Sequence, residues 1–169
     1  MTPEQAAFLR DTVLPSLENE HAITTRILQA VPADQADYRP DANSMSAFDL
    51  AWHIAATSAR LLSFVKTGEA GSSPEKSSSI DELLKFYSAS FERNVAGLKG
   101  MTGEQLAQEL DFRGVFLMPA VMYINFVMSH EIHHRGQLSV YLRPMGVKVP
   151  SIYGESYDAK QARLTAAAS

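Results

Sequence analysis

Residues 119–142 read PAVMYINFVMSHEIHHRGQLSVYL, and this stretch decides the fold. It outruns a common strand, and no proline interrupts it between Pro119 and Pro144. It therefore reads as one helix, from near Pro119 to about Leu142. Ahead of the histidines the apolar residues of VMYINFVM go almost all round that helix, which predicts burial on several sides. A helix wrapped that way needs helical neighbours.

The chain supplies three. Thr2, Pro3 and Gln5 form a start signal, and Phe8, Leu14, Leu17, His21, Thr24 and Leu28 then recur at helical spacing to about Ala30. Pro15 is expected to kink this run, because proline lacks a donor and crowds the preceding turn. Ser46 with Asp49 opens a second helix that Gly68 ends near Thr67, with Phe48, Ala51, Trp52, Ala55, Ala59, Leu62 and Val65 as its apolar positions. Ser79 and Glu82 make a capping-box pattern for a third helix, running to about Lys99 before Gly100. Thr102 caps a short helical turn over 103–109. VPADQADYRPDANS and TGEAGSSPEKSSS read as loops, and residues 145–169 as mostly irregular with an Ala-rich end. No strand pattern competes. The expectation is an all-α protein, a four-helix bundle with long connecting loops, folded as a single domain over 1–169.

The composition fits: 46% of the 169 residues are hydrophobic and 20% charged, enough to bury a sizeable core. A net charge of −4 argues against a general polyanion-binding surface, so no nucleic-acid partner is expected. The N-terminus carries acidic residues early and lacks the basic start and apolar run of a signal peptide. No segment approaches the roughly 18 apolar residues of a membrane span, and the chain is expected to be cytoplasmic with no membrane partner. There is no cysteine, so thiol chemistry would need a thiol supplied from outside.

His130, His133 and His134 carry the chemistry of the last long helix. Residues four apart lie one above the other, so His130 and His134 can grip one ion; His130 and His133, three apart, can do so as well. Spacing leaves both pairs open. A catalytic zinc normally has three protein ligands and an open position. His53, mid-helix in DLAWHIAA, is the best third candidate, because a buried neutral imidazole needs a partner. His21 lies on the stripe Leu14-Leu17-His21-Thr24-Leu28 and is a candidate for lining the same cavity, with ordinary packing as the competing role. Trp52, Tyr123, Phe126 and Tyr141 are candidate pocket walls on the same terms. Glu131 is either a general base beside the ion or a surface partner of Arg135 at i+4, and the second reading is preferred.

Three stretches together resemble the DinB (DNA-damage-inducible) superfamily, which includes thiol-dependent transferases and many metal-dependent enzymes. SMSAFDLAWHIA (44–55) is similar to the family's serine-led second helix with its ligand histidine. HEIHHRGQLSVYLRPMG (130–146) is similar to its fourth helix, where H-x-x-x-H is followed by R-G-Q, and GVKVPSIYG (146–154) to its C-terminal Pro-x-x-Tyr-Gly segment. The resemblance implies a four-helix bundle, often homodimeric, with nickel or zinc held by His53, His130 and His134. Many relatives place a further histidine or acidic residue soon after the second-helix ligand; here Ala55, Ala56 and Thr57 follow.

The leading expectation is thus a metal-dependent enzyme, a thiol-dependent transferase or a hydrolase, acting on a small molecule and using a low-molecular-weight thiol or water. The alternatives are a zinc peptidase, with His130, Glu131, His134 and a downstream ligand such as Glu155, or a stress-induced bundle that binds metal or a small ligand without turnover.

Overall fold

A computed structural model describes residues 1–168. Its main elements are α1 (Pro3–Gln29), α2 (Ala47–Thr67), α3 (Ile80–Lys99), the short α4 (Gly103–Ala107), a hairpin of β1 (Glu109–Phe112) and β2 (Phe116–Pro119), then α5 (Ala120–Leu142) and α6 (Tyr157–Ala167). The four long helices form the expected bundle. α5 packs on α1 and α2, and α3 packs on the same two, closing a ring.

Local chemistry explains most of the boundaries. Thr2 and Gln5 form a complete capping box, and Ser46 accepts from the backbone N–H of Asp49. Gly68 ends α2 at φ 71°, a conformation in which a Cβ would be strained. The box at Ser79 is half-formed: Ser79 accepts from Glu82 N–H, but the Glu82 carboxylate turns to Ser78, at 2.9 Å from its N and 2.7 Å from its Oγ. α1 runs unbroken through Pro15.

One expectation fails, and another holds for only part of its segment. The hairpin lies where no strand was expected, with Glu109 opposite Pro119 and Phe112 opposite Phe116. Its tip needs two consecutive positive φ angles, Arg113 at 58° and Gly114 at 70°, the geometry of a primed hairpin turn. Strands of four residues are too short for alternation to show in sequence. The tail is irregular over 145–156, as expected, but its Ala-rich end is a helix: Ser156 caps α6, and Asp158 anchors it through Arg143 and the Val149 N–H.

The core falls into two clusters. One gathers Leu17, Leu61, Phe64, Val95, Tyr123 and Ile124; the other gathers Ile27, Leu50, Ile54, Leu83, Tyr87 and Leu138. On each long helix buried polar residues fall between these clusters: Glu20 and Thr24 on α1, Ser58 on α2, Ser90 on α3, Glu131 and Arg135 on α5; Asn94 sits within the first cluster. A polar layer therefore crosses the middle of the bundle, at the level of the histidines of α5.

Candidate metal centre

His53 arrives from α2 and His130 and His134 from α5, two helices in direct contact. The Nε2 of His53 lies 3.0 Å from that of His130 and 3.2 Å from that of His134. These three form a group that could hold a metal ion, with all ligand atoms within 4.8 Å of one another. Each is partly buried. Burial, followed by the neighbouring charge of His134, lowers the pKa of His53, and the same causes bring His130 down to about 3. Both rings are neutral near pH 7 and present lone pairs.

The donor set fits a divalent cation. Neutral rings satisfy one of the two Nε2 contacts of His53 well with an N–H···N bond, not both. A cation accepts every lone pair at once, and tetrahedral ligation at about 2.0–2.1 Å sets imidazole nitrogens about 3.3 Å apart. The Nδ1–H of His134 donates to Gln137 Oε1 at 3.1 Å, which leaves its Nε2 bare toward the cluster. His133 is exposed and stands outside the group; its ring lies 4.7 Å from that of His134.

The other candidates are dispersed. Trp52 lines a groove of about 670 Å³ that also reaches His53. Tyr123 is fully buried in the core, its one hydroxyl proton shared between the carbonyls of Leu110 and Phe116 at 2.9 and 2.8 Å. Phe126 packs on Phe116, and Tyr141 is buried against Tyr38. None of these three lines the groove. His21 packs between α1 and α3, stacked on Phe91 at 3.7 Å and 4.2 Å from Tyr87.

Glu131 is not a surface partner of Arg135. It is fully buried, with Ser58 and Tyr87 as hydroxyl neighbours but neither in hydrogen-bonding geometry, and burial lifts its carboxyl to about 7. Arg135 is 1% exposed and pairs with Glu20 at 2.6 Å. It also donates to Glu20 O, Thr24 Oγ1 and the Tyr153 hydroxyl, and Tyr153 donates to Glu20 Oε2 at 2.9 Å. The Arg of R-G-Q and the Tyr of the Pro-x-x-Tyr segment thus meet in one clasp, while the Gln orients a histidine. The interruption of an apolar stripe, Ile124-Val127-Glu131-Arg135-Leu138-Leu142, was the signal for burial of both charges.

His21 yields a pH prediction. Its Nδ1 is buried without a partner, and burial depresses its pKa to about 4. The unfolded chain binds the proton near pH 6.5 and the folded chain does not, so stability present above that pH is lost as pH falls toward 4. The expected loss is on the order of 3 kcal/mol. Urea unfolding of His21→Phe at pH 7 and pH 4.5 should show a smaller drop than wild type; an equal drop contradicts the assignment.

A bundle of four long helices with three imidazoles converging between two of them defines a class of candidate metalloprotein. The chain belongs to the DinB family, which matches residues 5–165. It is 32% identical over 130 residues to the uncharacterized protein YjoA of Bacillus subtilis (strain 168), covering 73% of this chain and 82% of that one. It is 29% identical over 150 residues to YrdA of the same organism, covering 85% of this chain and 87% of that one. Among solved structures it is similar to the DinB-like YjoA (TM-score 0.71, 29% identity, 83% of this chain and 97% of that one). It is also similar to a DinB-like protein from Bacillus cereus ATCC 10987 (TM-score 0.73, 25% identity, 85% and 97%). No helix among the described residues is long and apolar enough to cross a membrane.

Proposed function

We propose that this chain is a divalent-metal-dependent enzyme acting on a small molecule, of the thiol-dependent transferase or hydrolase type, with His53, His130 and His134 as ligands. The convergence of three imidazole Nε2 atoms carries this reading. Zinc and nickel both suit such a donor set. Held there, the ion supplies Lewis acidity that lowers the pKa of a thiol or of water. The chain has no cysteine, so the thiol is an external low-molecular-weight one. His53 joins the cluster to the groove, and Trp52 gives that groove an apolar wall, which favours turnover over mere storage. The reading includes a cytoplasmic homodimer.

The peptidase alternative loses its two key residues. Glu131 points into the polar layer, and Glu155 is exposed and paired with Arg163 at 2.7 Å. The test is a screen of zinc- or nickel-loaded protein with small thiols and electrophiles, and with small esters and amides. Metal-dependent consumption that disappears in His53→Ala is expected. Equal rates in wild type and His53→Ala would overturn the reading.

A further inference from the structure

Arg60 follows His53 by two turns on α2 and borders the same groove. It is the least compensated charge there. Arg39 and Lys76 both pair with Asp49, at 3.2 and 2.5 Å. Arg60 forms no ion pair among the described residues; its one hydrogen bond is a long one, 3.3 Å to Ser73 Oγ. Its Nε is cut off from water with no partner. Its guanidinium lies 5.7 Å from the Phe112 ring, an aromatic face that helps fix a planar cation in place. Counting Arg39, Arg60 and Lys76 against Asp49, the groove and its rim carry two surplus positive charges on a chain whose net charge is −4.

We infer that the groove binds a small organic anion, a carboxylate or phosphate, whose oxyanion is held by Arg60 while its remainder lies along Trp52 toward His53. A positively charged groove on an acidic protein concentrates anions locally. Guanidinium matches the oxygens of either group with paired donors, and an oxyanion would supply the counter-charge Arg60 lacks. Thr57, between His53 and Arg60 on the groove wall, offers a hydroxyl to the bound molecule. The inference deepens the proposed function and rests on it only for the end of the ligand that faces the histidines.

Trp52 is the single tryptophan, so its fluorescence reports occupancy of this groove. Succinate, inorganic phosphate and the uncharged succinamide are titrated into wild type, Arg60→Gln and Arg60→Lys, each zinc-loaded and metal-free, with zinc content measured on the same samples. Wild type should respond to succinate or phosphate and not to succinamide. Arg60→Gln should weaken the anion at least tenfold, and Arg60→Lys should restore part of the loss. Whichever anion is preferred identifies the oxyanion class. Equal anion affinity in wild type and Arg60→Gln, an equal response to succinamide, or no anion response at millimolar concentration overturns the inference. A wild type that holds no zinc overturns the metal reading instead, and the metal-free titrations still decide the role of Arg60.

Discussion

Replacing Arg135 by alanine should destabilise the protein by about 3–5 kcal/mol, the cost of stranding one member of a buried ion pair. The guanidinium is 1% exposed and Glu20 only 8%, so water cannot take the place of the lost partner. Glu20 would keep the Tyr153 hydroxyl, but one neutral donor does not offset a buried carboxylate. Glu20→Gln in the same background removes the stranded charge and should recover much of the loss, giving a non-additive double-mutant cycle. Tyr153→Phe should cost less, because its ring is largely exposed and only the hydroxyl enters the clasp. Urea unfolding midpoints at pH 7 measure all of these. A loss below about 1 kcal/mol for Arg135→Ala, the range of surface pairs, would show that the clasp does not hold.

The second large effect is linkage between metal and folding. An ion that binds the folded chain alone stabilises it by about 4 kcal/mol at a free concentration one thousand times its dissociation constant. For a chain of this size that raises the thermal midpoint by roughly 10 °C. Zinc or nickel should shift wild type and His133→Ala in this way and leave His53→Ala, His130→Ala and His134→Ala unmoved. Gln137→Ala should retain the shift but need roughly 10–100 times more metal, because the bond that holds the His134 tautomer is gone. A shift of equal size in His53→Ala would assign the stabilisation to adventitious surface binding.

Much of this molecule was legible in its sequence, for identifiable reasons. Long helices announce themselves through caps and punctuation: Thr2, Ser46, Gly68 and Ser79 stand where the structure starts or ends a helix. The hairpin was hidden because its strands are four residues each and its turn rests on Arg113 in a conformation that few side chains adopt. α6 was hidden because none of its residues is buried, so no apolar periodicity marks it. In the site, spacing left His133 and His134 open, and only the family resemblance chose between them. Geometry then separates the two: His134 turns its Nε2 to His53, whereas His133 is exposed. Glu131 and Arg135 misled because i+4 opposite charges ordinarily mean a solvated face. Here both sit on the buried stripe of α5, and each faces the polar layer separately.

The central claim is that three imidazoles from two helices hold one ion. Elemental analysis of the purified chain, wild type against the four histidine variants, tests it most directly. The account predicts about one zinc or nickel ion per chain in wild type and in His133→Ala, and close to none in His53→Ala, His130→Ala and His134→Ala. Equal metal content across all five proteins, or a wild type that takes up no divalent ion when it is offered, would contradict it.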